Sequence, residues 1–344
     1  MFLYHFNINS EASTNSHKTA SGLGHAVRCS ELSKQFSVEP VFCVNENSSS
    51  IAFCEDLGCN YIFEKKLDEF LTVSSPSLIV SDINYIDEKF ITLYQNYKLP
   101  VVCLAPRGKF KYHSTLSFCD VEDPSEFNQE YNPRKGLRVG FDYAFVRTDI
   151  FDLRKREDIK KSKNQIVVSM GGTDTFDMTS KVVKYLQRLP SHFNVKIILG
   201  KLYQHPDLLE KLCRVHLSCN YEVLISPEHF PELLSKSSFG IFGTGIVTYE
   251  AMCLGVIPFN FGISDFHTLK GSLIEEKGAG FYVGDLRKSD LLIDFIEKIQ
   301  EIYKNDELAS SIRNNAMNLI DGDSQSRIIA AIKKEIINPY NLQS

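Results

Sequence analysis

Gly243-Thr244-Gly245-Ile246-Val247-Thr248-Tyr249-Glu250 reads as a strand end, a glycine turn and the start of a short helix, which Gly255 stops before a new strand runs into Pro258. The first N–H groups of a helix have no partner inside it and lie at the positive end of its dipole, so such a turn suits a phosphate. Glu250 stands one to two turns into the helix, where a carboxylate can accept hydrogen bonds from both hydroxyls of a ribose. Gly243, Thr244, Gly245 and Glu250 are therefore candidate nucleotide-binding residues, and a nucleotide-linked substrate is the leading expectation. Ser169-Met170-Gly171-Gly172-Thr173-Asp174 closes another apolar run, and its paired glycines suit backbone contact with a ligand. Gly171, Gly172 and Thr173 join the nucleotide candidates; the plainer alternative is a tight turn in which Thr173 or Asp174 caps the next helix.

A second group of residues has the types needed for proton transfer. In Gly22-Leu23-Gly24-His25-Ala26-Val27-Arg28-Cys29, His25 falls in the first turn of a helix after a polar loop, Asn9–Ala20. An imidazole there can serve as a general base near neutral pH, although the helix dipole lowers its basicity. An N-terminal histidine that merely caps or solvates its helix is an equal alternative on these residues. The G-x-G is not a full dinucleotide fingerprint, because the last glycine is missing. Asp82 ends the apolar run Leu78-Ile79-Val80-Ser81 and is followed by Asn84 and Tyr85. It can orient a base or a hydroxyl, or cap the next helix. Arg107-Gly108-Lys109 follows another strand end and could meet a diphosphate or a sugar carboxylate; a surface turn is the preferred reading.

These positions need elements to hold them. Strands are predicted at 2–8, 41–45, 61–64, 77–83 and 100–106, with helices near 24–36, 49–57, 66–72 and 87–97. Their apolar runs are continuous rather than alternating, which implies a parallel sheet buried on both faces and a doubly wound α/β domain. The polar stretch 121–163 breaks this rhythm and ends in the charge run Arg154–Lys161, read as a solvated linker. A second series follows, with strands at 165–170, 194–200, 222–226, 239–242, 256–261 and 280–284. Helices are expected at 177–187, 206–216, 230–236, 246–254 and 266–277, and 287–338 reads as entirely helical. Two α/β domains follow, 1–148 and 149–344, with a cleft expected between the carboxyl ends of their strands.

Composition narrows the class. With 43% hydrophobic and 24% charged residues the 344-residue chain is that of a soluble globular protein. Its net charge of −5 argues against non-specific nucleic-acid binding. Nine cysteines, an odd number without a C-x-x-C pair, and the apolar settings of Cys43 and Cys103 imply reduced thiols in a cytoplasmic protein and no structural zinc. The N-terminus lacks the basic and apolar regions of a signal peptide, and no apolar run reaches transmembrane length; peripheral membrane contact stays open.

As an ordered set the motifs resemble the UDP-sugar hydrolases of the pseudaminic acid pathway, nucleotide-sugar enzymes related to the spore-coat polysaccharide proteins and to the lipid-intermediate N-acetylglucosaminyltransferase of peptidoglycan synthesis. Gly22–Cys29 resembles their G-x-G-H-x-x-R-C element, Asp142–Arg147 their Tyr-Ala-Leu-Leu-Arg segment, Ser169–Asp174 their Gly-Gly-x-Asp turn and Gly243–Pro258 their Gly-x-Thr-x-x-Glu element. Leu273–Gly280 and Val283–Asp285 resemble the helix and strand that follow. The resemblance implies the GT-B fold of two Rossmann-like domains, UDP held mainly by the C-terminal domain, and inverting chemistry at the anomeric carbon; with no Asp-x-Asp run at a strand end and no clustered ligands, neither metal nor cofactor is expected. The resemblance makes His25 the functional histidine; Asp82 and Tyr85 are the further catalytic candidates, and Gly24, Arg28, Asn84, Asp265 and His267 the sugar-side candidates.

The chain departs from that pattern on the sugar side. Asn84 stands where the hydrolases carry tyrosine, Asp265-Phe266 replaces Asn-Gln, and Ala105–Gly108 replaces an Asp-Asp pair. This is the pattern of a retained nucleotide with an altered sugar or acceptor. The leading expectation is a glycosyltransferase acting on a UDP- or CMP-linked sugar in bacterial surface-glycan synthesis, with an unidentified glycan or protein acceptor. Hydrolysis, with His25 activating water, is the second, and a non-catalytic nucleotide-sugar-binding subunit the third.

Overall fold

Unbroken apolar runs such as Leu78-Ile79-Val80 and Ile166-Val167-Val168 have no polar face to present to water, and all six residues are fully buried. The computed structural model describes residues 1–8, 23–83, 86–105, 114–121, 136–174, 176–288 and 291–338. The chain forms two compact units, Met1–Phe145 with Asp323–Ser344, and Val146–Gly322.

The first unit runs β1 (Phe2–Phe6), α1 (Gly24–Ser33), β2 (Pro40–Val44), α2 (Ser48–Leu57), β3 (Tyr61–Phe63), α3 (Leu67–Val73), β4 (Leu78–Asp82), α4 (Glu88–Asn96), β5 (Val101–Leu104), β6 (Leu116–Cys119) and β7 (Leu137–Val139). Its seven parallel strands are ordered β3-β2-β1-β4-β5-β6-β7. Leu3, Cys43, Ile79 and Cys103 pack against Leu67 and Leu71 of α3 and Phe90 and Tyr94 of α4. α1 packs on β1 and β4 and buries Ala26, Cys29 and Leu32. The strand order reverses between β1 and β4, so the connections leaving their carboxyl ends diverge there, the usual place for a ligand in an open α/β sheet. Asp82 is in register with Phe6 at that point.

The second unit runs α5 (Thr148–Arg154), β8 (Ser162–Ser169), α6 (Met178–Leu186), β9 (Asn194–Leu199), α7 (Pro206–His216), β10 (Asn220–Ile225), α8 (Phe230–Lys236), β11 (Ser237–Phe242), α9 (Ile246–Cys253), β12 (Ile257–Gly262), α10 (Asp265–Glu276), β13 (Phe281–Asp285), α11 (Phe295–Lys304) and α12 (Asp306–Leu319). Six parallel strands are ordered β10-β9-β8-β11-β12-β13. The reversal falls between β8 and β11, whose last residues Ser169 and Phe242 are in register. Both glycine turns therefore leave one edge of one sheet, side by side.

The last helix, α13 (Ser324–Ile332), belongs with the first unit rather than the second, which corrects the expected extent of the second domain. It packs on the 3-10 turn Phe141–Tyr143, where Arg327 donates to the Asp142 carbonyl at 3.2 Å, and Glu335 beyond it pairs with Arg138 of β7. The C-terminal region is also not one continuous helical run: Asp294 and Asn305 cap α11 and α12 separately. The sequence analysis missed β6, β7 and α5. β6 and β7 have four and three residues, too few to show a period. α5 buries only Ile150 and Leu153 and runs into the charge run. That run is mostly solvated, but Arg154 donates to the carbonyls of Cys253, Met317 and Ile320, and Lys161 to those of Ser235 and Ser237. Among the described residues no helix is long and apolar enough to cross a membrane.

One close approach shapes the first glycine turn. A Cβ on Gly200, just past β9, would lie 1.8 Å from the carbonyl oxygen of Gly172, a backbone atom that cannot rotate away. Gly200→Ala should therefore destabilise the second unit by about 3 kcal/mol and displace the turn. Gly243→Ala, whose Cβ would meet its nearest neighbours at an ordinary 3.5 Å, should leave stability nearly unchanged. Urea unfolding of the two variants checks the contrast.

Candidate functional site

In the first unit β4 delivers Asp82 and α1 delivers His25 and Arg28, which are three residues apart and so share a helix face. Asp82 Oδ1 lies 2.7 Å from His25 Nδ1, and the Arg28 fork holds both carboxylate oxygens at 2.7 Å. Asp82 is fully buried and His25 is 8% exposed. Burial alone would raise the Asp82 carboxyl, but Arg28 and His25 outweigh it and hold it below its ordinary value. An ionised carboxylate only accepts, so the short Nδ1 contact places the ring proton on Nδ1 and the basic lone pair on Nε2. That is the orientation in which a histidine serves as a base. The structure thus brings together His25 and Asp82, singled out separately in the sequence, and joins Arg28 to Asp82 through Nε and Nη2. Gly24 is the first residue of α1. Tyr85 and Asn84, like Gly22 and Arg107–Lys109, lie outside the described residues.

On β1 sits a polar group that sequence reasoning missed. His5, fully buried, donates from Nε2 to Glu64 Oε1 at 2.8 Å and accepts from the Tyr94 hydroxyl at Nδ1. Burial raises the Glu64 carboxyl, but the hydrogen bond from His5, with its other neighbours, brings it below its ordinary value. No sequence pattern links three polar residues on a strand, a turn and a helix.

In the second unit the glycine turns have distinct geometries. Gly171 has φ +103°, a conformation that favours glycine, and Asp174 and Asp177 follow at +37° and +49°. Asp174 accepts from the backbone N–H groups of Met178 at 2.7 Å and Thr179 at 2.8 Å, so the capping alternative describes this residue. Gly172 and Thr173 remain partly exposed beside it. At the second turn Thr244 takes φ +53°, is fully buried and gives its hydroxyl to the Phe261 carbonyl at 2.9 Å, so what it offers a ligand is backbone. Gly243 precedes it, and Gly245 is the extended N-cap of α9, with no side-chain cap and nothing within 4 Å of where a Cβ would stand. The N–H groups opening α9 are thus approached past a residue without a side chain.

Glu250, 1% exposed on α9, accepts from Arg147 Nε at 2.6 Å and Nη2 at 3.3 Å. A ribose at this carboxylate would share it with, or displace it from, the guanidinium. Lys270 of α10, 8% exposed, lies over the rings of Tyr249 and Phe266 at 5.2 and 4.7 Å, a cation that sequence reasoning did not flag. Asp265 is bound by Arg287 at 2.6 Å, and Arg287 is itself clamped by Asp285. Its carboxyl is held below the ordinary value by the hydrogen bond from Arg287. His267 Nδ1 lies 2.6 Å from Ser264 Oγ, at the start of the same helix. Among the described residues no group of three His, Cys, Asp or Glu is placed to hold a metal ion.

Two Rossmann-like parallel-sheet units of seven and six strands define the GT-B fold, and solved structures agree. The crystal structure of Acinetobacter baumannii MurG matches with a TM-score of 0.66 over 97% of this chain and 99% of its own, at 11% identity. The S. aureus MnaA–UDP co-structure matches at 0.64 over 98% and 96%, at 13% identity. No family model matches the chain. In sequence it is 20% identical over 333 residues, 91% of this chain and 94% of the relative, to the spore coat polysaccharide biosynthesis protein SpsG of Bacillus subtilis (strain 168). The chain is a distant relative of the spore-coat and MurG-type proteins that its motifs resemble.

Two measurements probe this geometry. Burial pushes the Asp174 carboxyl up from 3.8 to about 6, against the pull of its hydrogen bonds to Met178 and Thr179. Between those values the native state keeps a proton that the unfolded chain has lost, so this residue's contribution to stability falls as pH rises from about 4 to about 6. Asp174→Asn should remove that slope, read as melting temperature against pH. Arg147→Met should destabilise the second unit by about 3 kcal/mol, because it takes a guanidinium away from a buried carboxylate, read by urea unfolding.

Proposed function

We propose that the chain is a metal-independent, inverting nucleotide-sugar enzyme that cleaves the anomeric C–O bond of a UDP- or CMP-linked sugar and transfers the sugar to a hydroxyl acceptor in bacterial surface-glycan synthesis. The observation that carries the reading is the buried His25–Asp82 pair, 2.7 Å apart, at the strand reversal of its sheet. His25 Nε2 takes the acceptor hydroxyl proton as the oxygen forms its bond to the anomeric carbon. The bond from that carbon to the nucleotide's phosphate oxygen breaks, and the electron pair leaves with the nucleotide, UDP or CMP. The N–H groups at Gly172 and at the start of α9 stabilise the departing charge. Glu250 takes the ribose hydroxyls, exchanging part of its bond to Arg147.

The UDP in the MnaA co-structure favours UDP over CMP, and the name of the SpsG relative favours surface polysaccharide. All nine cysteines are free thiols, which supports a cytoplasmic location. Water in place of the acceptor would make the same apparatus a hydrolase. A binding subunit would not need a base fixed by a buried carboxylate.

The test is nucleotide release from a panel of UDP- and CMP-sugars, with and without acceptor extract. Release that depends on extract is expected; equal release without it identifies the hydrolase, and no release from any sugar overturns the enzyme reading. His25→Ala should lower kcat by roughly 10²–10⁴-fold with little change in nucleotide affinity. Turnover should persist in EDTA; loss restored by Mg²⁺ would overturn metal independence. Glu250→Ala should weaken UDP binding roughly ten- to hundredfold by calorimetry, the loss of a charge-assisted bond.

A further inference from the structure

Two nitrogens converge on one buried carboxylate oxygen, and a third holds its twin. His25 Nδ1 and Arg28 Nη2 each lie 2.7 Å from Asp82 Oδ1, while Arg28 Nε holds Oδ2 at 2.7 Å. Nη2 is also 2.9 Å from Nδ1. The side chains of His25 and Arg28 are only 10% and 13% exposed, so water screens these charges weakly. Because Nδ1 donates to Asp82, the approach of Nη2 to it is that of two donors sharing one acceptor. Two effects follow from the fork. It fixes the rotation of the carboxylate, so that Oδ1 faces the ring. It also sets a permanent cation beside the imidazole, where a second ring proton would meet like charge.

We propose that Arg28 is a positioning residue for His25: it locks Asp82 as the acceptor that keeps the ring proton on Nδ1, and it holds the imidazole neutral with its lone pair on Nε2. The proposal rests on the reading of His25 as the base. Other titratable groups around the trio, among the described residues, are Tyr4 on β1, Cys29 on α1, Cys103 on β5 and Asp120 just past β6. Burial pushes Tyr4, Cys29 and Cys103 upward, so they carry no charge at neutral pH. Asp120, 7% exposed, is a second carboxylate in the field of Arg28. Without the guanidinium, the imidazole would face net negative charge and bind a second proton more readily.

The experiment is a pH titration by NMR of protein carrying ¹⁵N-labelled histidine, with the His25 signals assigned by their loss in His25→Asn. The wild type should show the Nδ1–H tautomer through neutral pH. In Arg28→Gln the His25 midpoint should rise by about one unit, and in Asp82→Asn it should fall. A base that stays protonated longer works only at higher pH, so the acid limb of kcat/KM for Arg28→Gln should move up with the midpoint. Its rate on that limb should be about tenfold below wild type, with recovery as pH rises. A wild-type midpoint and tautomer pattern in Arg28→Gln would overturn the proposal. If that variant does not fold, Arg28→Lys carries the test, since it keeps the charge and loses the fork. A mixture of ring tautomers is expected, and an unchanged single tautomer overturns the positioning role. The NMR reads the ring without turnover, so wild-type activity in His25→Asn would overturn the base reading and leave the Arg28 result to stand or fall on its own.

Discussion

Parallel strands cannot be joined by tight turns. Each must be followed by a crossover, so every strand in a parallel sheet ends on the same edge and starts on the other. That constraint places Asp82, the Gly171–Thr173 turn and the Gly243–Gly245 turn, because each lies at the carboxyl end of a strand. The reversals between β1 and β4 and between β8 and β11 then separate the outgoing connections at one point per sheet. Function follows from a backbone rule before any side chain is considered, and side chains decide what chemistry the edge performs.

The same edge creates an electrostatic problem that the chain solves more than once. Four carboxylates on or after these strands, Asp82, Asp174, Glu250 and Asp285, are buried, where an isolated charge is costly. Asp82 meets Arg28, Glu250 meets Arg147 and Asp285 meets Arg287, each through two nitrogens of one guanidinium. Asp174 has no arginine in its bonds and relies on the N–H groups of Met178 and Thr179, and its carboxyl is pushed upward where Asp82 and Asp285 are pulled down. The planar fork of arginine suits this use, since it satisfies both oxygens and fixes their orientation together.

Much of this was legible in the residues, for reasons that differ by element. Apolar runs without alternation marked the long strands, and glycines at their ends marked the turns. His25 and Asp82 were each recognisable by type and position, yet 57 residues separate them and only the β1–β4 pairing brings them together. Glu250 was visible, but its partner Arg147 lies 103 residues away, beyond any local pattern. The bond of Arg28 to Asp82 was not legible, because a motif shows which residues recur and not what they touch. β6, β7 and α5 were hidden because they are short, β7 burying none of its residues and α5 only Ile150 and Leu153, and the allegiance of α13 because helical periodicity says nothing about which sheet an amphipathic face will cover.

The return of α13 to the first unit makes the second an insertion within it. During synthesis the ribosome releases the whole of Val146–Gly322 before the last helix of the first unit exists, so the inserted unit can be finished while its host still lacks a layer. The host's closing contacts join residues near 142 to residues near 327, a separation that local helix formation cannot shorten. Maturation of the unit that carries the His25 pair therefore waits for synthesis to pass through α13, and a truncated product ending before 323 would have the inserted unit whole but its host unfinished.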